Sequence, residues 1–158
     1  ENARWAPWEI TQLLPGGLVF FPGTADGTRT KDSFAVPEFE ESGGVLWRKA
    51  EALPGGVTGL AIGDSSEGWI AYALGQVLMV KAFEVVPRER HAPGEGQVEL
   101  FFDGDGVFWE MEVQGPYEDL PAGGKIEMEV VWAFAALDQP AEETPRERLV
   151  ELSRQLRR

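Results

Sequence analysis

Apolar and polar residues alternate with a period of two along most of this chain, and glycine or proline interrupts the alternation at short intervals. A period of two sends successive side chains to opposite faces of an extended strand. The interruptions limit those strands to a few residues each, since glycine and proline favour turns. Such a sequence points to many short strands joined by tight turns. Residues 5–13 read as a strand, with Trp8 and Ile10 on one face and Glu9 and Thr11 on the other. Residues 18–21 and 45–49 form two more. Residues 57–62, 68–73 and 76–83 read as three consecutive antiparallel strands. The hairpin with the strongest turn signal joins residues 98–102 to 107–113 through Asp103-Gly104-Asp105-Gly106, whose Asp-Gly pairs suit turns that need positive φ. A long last strand is expected over 125–134.

The period changes only at the end. Leu149, Leu152 and Leu156 follow one another at i, i+3 and i+7, with Val150 beside them. Thr144-Pro145-Arg146-Glu147 reads as a capping box with proline at the first helical position. A helix is expected over 145–157. The whole reads as a mainly β chain, an antiparallel β-sandwich with one C-terminal amphipathic helix. Residues 1–138 would form the sandwich, and 139–158 a linker and helix packed on or beside it.

Composition narrows the partners. Fourteen basic against 27 acidic residues leave a net charge of −13. That field repels phosphate backbones and anionic bilayers, so neither nucleic acid nor a membrane is an expected partner. Cysteine is absent, which excludes disulfides, thiolate catalysis and cysteine-ligated zinc. The single histidine, His91, cannot build a multi-histidine metal site. No metal and no cofactor is expected.

Several residues are candidates for chemistry. Glu110 and Glu112 alternate with Trp109, Met111 and Val113, so the two carboxylates share one sheet face. They could accept hydrogen bonds from sugar hydroxyls, and one could serve as a general base if burial raised its pKa. The same pattern describes a solvated face opposite a core face, and Glu127 and Glu129 repeat it. His91 lies in a charged loop, where it is either a general acid or a solvated side chain. Asp103-x-Asp105-Gly resembles the start of a calcium loop but lacks the later ligands, so the hairpin turn accounts for it. Of the six tryptophans, Trp8 and Trp109 read as core. Trp47, followed by Arg48 and Lys49, is the best placed to stack on a ligand.

Several segments also carry a family likeness when read in order. They are Trp5-Ala6-Pro7-Trp8-Glu9-Ile10-Thr11-Gln12, Gly68-Trp69-Ile70-Ala71-Tyr72, and Leu78-Met79-Val80-Lys81-Ala82-Phe83. Val98-Glu99-Leu100-Phe101-Phe102, Phe108 through Pro116, Leu120-Pro121-Ala122-Gly123-Gly124 and Val131-Trp132 follow. Together they resemble the DUF4380 type of protein, with the galactose-mutarotase-like (aldose 1-epimerase-like) supersandwich fold. The resemblance implies a sheet face that holds a carbohydrate, with Lys81, Glu110 and Glu112 at matching positions. It also implies that this chain is the C-terminal part of a larger domain. Self-association, commonly as a homodimer, or pairing with the missing N-terminal half would then be expected.

The function expected is carbohydrate binding, with Trp47, Lys81, Glu110 and Glu112 as contacts. Two alternatives stand beside it. One is an aldose 1-epimerase-like enzyme using Glu110 or Glu112 as base and His91 as acid. The other is a non-catalytic structural or assembly domain.

Overall fold

The computed structural model describes residues 3–158, so the first two residues of the expected 1–138 domain lie outside it. The chain builds three layers. One is a four-stranded sheet in the order β2 (Trp8–Leu13), β10 (Trp109–Gln114), β9 (Val98–Phe102), β6 (Gly59–Gly63). The second is a six-stranded sheet. Its order is β12 (Val130–Ala136), β8 (Val77–Phe83), β7 (Trp69–Leu74), β3 (Leu18–Pro22), β5 (Val45–Lys49), β4 (Glu40–Ser42). The third is α1 (Arg146–Leu156). A small ribbon pairs β1 (Ala3–Trp5) with β11 (Glu118–Leu120). Every strand pairing is antiparallel.

The two large sheets face each other over one core. Met111, Leu100, Phe102 and Trp109 come from the four-stranded sheet, and Phe21, Leu46, Ile70 and Tyr72 from the six-stranded sheet. The other face of the six-stranded sheet is also dry. There Phe20, Trp47, Trp69 and Val80 pack with Leu149, and Leu152 and Leu156 flank them. This double cover explains why β3, β5, β7 and β8 read as nearly continuous apolar runs. The expected apolar stripe of the helix is thus the one that docks. Arg146 pairs with Glu40, and Arg154 with Glu67 at 2.6 Å, at opposite ends of α1.

Four local expectations change. The strand at 57–62 does not lie beside 68–73. The turn between them carries the chain across the sandwich, so β6 pairs with β9 while β7 pairs with β8. The last strand starts at Val130 rather than Lys125, and residues 121–129 run outside any sheet. The capping box does not form, because Pro145 takes the N-cap position and the Thr144 hydroxyl donates to the Pro140 carbonyl at 3.0 Å. Finally, β2 is turned over. Trp8 and Ile10 face outward, and Glu9 faces the interior, where it meets Lys81 from the opposite sheet at 2.6 Å.

Candidate functional site

The outward face of the four-stranded sheet is where charged and polar side chains collect. Strand pairing lines up Gln12, Ile10 and Trp8 of β2 with Glu110, Glu112 and Gln114 of β10. Glu112 in turn sits opposite Glu99 of β9. The two loops before β4 and β9 add Lys31 and Glu95, which bond each other at 2.7 and 2.9 Å. Gln114 donates to Glu99 at 2.7 Å, and Gln12 donates to Glu110 at 3.3 Å.

Burial sets the electrostatics. Glu112 is only 4% exposed, and loss of water pushes its carboxyl up to about 7. The Glu110 charge adds to that rise, while the Trp8 indole, Lys31 and Lys81 oppose it. Glu99 is pushed up to about 8, first by burial and then by the Glu95 carboxylate beside it. Burial also acts against ionisation of Glu95, but contacts with Glu99 and Lys31 outweigh it and hold Glu95 low. Near neutral pH the face therefore carries two carboxyls that readily hold or release a proton. One Glu112 oxygen is buried without any hydrogen-bond partner. That is costly unless a ligand or water supplies a donor. Over this recessed row the Trp8 ring stands 56% exposed.

Of the residues expected at the site, Glu110 and Glu112 are brought together on one face. The others are placed elsewhere. Trp47 is 2% exposed, stacked on Phe20 at 4.4 Å and covered by the Arg146 guanidinium. The helix layer packs over its side of the sheet. Lys81 has no exposed surface. It lies beneath the sheet, donating to Glu9 and to the Met111 carbonyl, both at 2.6 Å. Burial lowers its pKa, and Glu9 and Glu112 partly restore it. His91 is engaged with the chain itself. Its Nε2 donates to the Val86 carbonyl at 2.9 Å, and its Nδ1 lies 3.3 Å from Asp64. Trp8, assigned to the core from its alternation, is an exposed aromatic ring at the site, and Phe101, opposite Glu110, shares the face and packs against Phe34 and Phe108. Among the described residues no group of three or more histidine, aspartate or glutamate side chains could hold a metal ion.

The comparisons with known proteins bear on this geometry. The profile of a family described as a domain of unknown function (DUF4380) matches residues 23–135, more than half of the chain. The chain belongs to the DUF4380 family. No curated protein and no solved structure matches it. The DUF4380 match takes in Lys31, Glu95, Glu99, Glu110, Glu112 and Gln114, and leaves Trp8 and Gln12 on the N-terminal side of it. The DUF4380 segment thus supplies the carboxyl row, and β2 adds the exposed ring beside it.

Proposed function

We propose that this outward face binds a carbohydrate, with the Trp8 ring as the stacking platform and Glu110 and Glu112 as hydroxyl acceptors. The carrying observation is the exposed Trp8 indole on the same sheet face as the solvent-reaching Glu110 and Gln12, above the recessed Glu112. Sugars offer both complements at once, an apolar C–H face and adjacent hydroxyl donors. The motifs that resemble galactose-mutarotase-like proteins support the same reading, in which this chain supplies the C-terminal part of a larger supersandwich. A thermal-shift screen with mono- and oligosaccharides tests it. A ligand is expected to raise Tm, and Trp8→Ala is expected to weaken binding about tenfold, or ~1.4 kcal/mol. Silence up to about 50 mM sugar, where a millimolar Kd would show, removes the reading.

The epimerase alternative draws on one observation of its own. Glu99 and Glu112 sit directly opposite each other on the adjacent strands β9 and β10, with carboxyls pushed up to about 8 and about 7. Such a pair matches a general acid and base near neutrality. On that reading Glu112→Gln abolishes catalysed anomer exchange, followed by NMR, while sugar binding persists.

A further inference from the structure

We infer that β12 is a self-pairing edge, through which two copies of this chain join their six-stranded sheets about a two-fold axis. Among the described residues the two large sheets present four edges, and three are guarded. β4 is three residues long and carries Glu40 and Glu41. β6 is covered by the connection between β3 and β4, through bridges Arg29–Ile62 and Ala35–Gly59. β2 turns the charge of Glu9 inward. Short, charged or covered edges discourage pairing with another chain. β12 has none of these features. Its seven residues include no charge, glycine or proline, and Val131, Trp132 and Phe134 stand exposed. An open edge of that kind accepts another extended strand through its free backbone groups.

The register of the sequence favours a second copy as that strand. Antiparallel pairing centred on Ala133 sets Trp132 of one copy opposite Phe134 of the other, and the reverse. Residues directly opposite share a face, so the four rings form one aromatic ladder across the junction. Val131 then meets Ala135, and Val130 meets Ala136. Within the paired segment Val130–Ala136 there is no acid at all, and Glu129 and Asp138 lie beyond its ends. No acid faces an acid, which matters for two copies that each carry −13. A two-fold arrangement uses the same patch on both partners and closes on itself. The inference stands on β12 alone and is independent of any sugar.

Light scattering of the intact chain at roughly 100 μM, a concentration that favours association by mass action, is expected to give twice 17.4 kDa. Phe134→Lys alters an exposed side chain and is expected to return the mass to 17.4 kDa with an unchanged far-UV CD spectrum. A second probe does not depend on that variant. Ala133→Cys introduces the chain's only thiol and is expected to yield a disulfide-linked dimer under mild oxidation. Val107→Cys, on the exposed 103–108 connection, is expected to stay monomeric on a non-reducing gel. A wild-type mass of 17.4 kDa overturns the inference and leaves the edge to a different chain. A doubled mass that survives Phe134→Lys, or equal cross-linking of both cysteine variants, overturns it too.

Discussion

Glu112 and Glu99 link the candidate site to folding. Each carboxyl ionises near 4.5 once the chain unfolds, but only near 7 and 8 in the folded sheet. Between those values the folded state holds more protons, so stability is full below 4.5 and drains as pH rises through 7 and 8. For Glu112 the gap corresponds to roughly 3 kcal/mol. Thermal melts at about pH 5.5 and about pH 8.5 are expected to show a lower Tm at the higher pH. Glu112→Gln is expected to narrow that difference. An unaltered gap means the carboxyl is hydrated in solution. A second test concerns Gly17, whose amide donates to the Tyr72 hydroxyl at 3.1 Å while that hydroxyl donates to Leu14. A Cβ there would lie 2.2 Å from the Tyr72 ring. Gly17→Ala is expected to cost roughly 1–3 kcal/mol by overpacking, read from the urea midpoint. Legibility in the sequence was uneven at this scale. The shared face of Glu110 and Glu112 follows from alternation alone. Glu99 was within reach too, because the Asp103–Gly106 turn sets the register that brings it opposite Glu112. Lys31 and Glu95 arrive from loops, where no periodicity announces a partner. Trp47 could not be placed from its own strand, because what buries it is a helix about a hundred residues further along the chain.

The elements that sequence read best are those whose local signals agree. The 98–113 hairpin has alternation on both arms and Asp-Gly between them, and it forms as β9 and β10. The helix has one apolar stripe, and that stripe docks on the sheet, with Leu149 buried and Leu152 and Leu156 partly so. Leu149 is wholly enclosed, so Leu149→Ala is expected to cost about 2–5 kcal/mol, measured by urea denaturation. The Arg146–Glu40 and Arg154–Glu67 pairs are largely exposed, and Arg154→Ala is expected to change stability by less than about 1 kcal/mol. A reversal of that order would mean that ion pairs rather than leucines hold the helix. The elements missed are those without a local signal. The β1–β11 ribbon joins two three-residue segments far apart in sequence. Residues 125–129 alternate as a strand does but have no neighbour to pair with, and alternation cannot report the absence of a neighbour. The turning of β2 has the same origin. Its inward face is held by Lys81 on the opposite sheet, which takes Glu9, and by Leu13, which enters the core, while Trp8 and Ile10 stay outside.

For the whole molecule, the six-stranded sheet is the common wall of two cores. Damage on either side therefore reaches the other through shared strands. Leu149→Ala and Met111→Ala, on opposite sides of that wall, are expected to shift one unfolding transition, with far-UV CD and tryptophan fluorescence midpoints coinciding for each variant. Separate midpoints would mean that the helix layer melts alone. The three-layer plan also divides the tryptophans by surroundings. Trp47, Trp69 and Trp109 are enclosed, whereas Trp5, Trp8 and Trp132 meet solvent. The molecule is thereby an optical instrument with two channels. The enclosed indoles should emit toward the blue and resist acrylamide, and the outer three should emit toward the red and quench readily. A sugar on the four-stranded sheet would dim the red channel at Trp8, a second copy on β12 would dim it at Trp132, and only unfolding would move the blue.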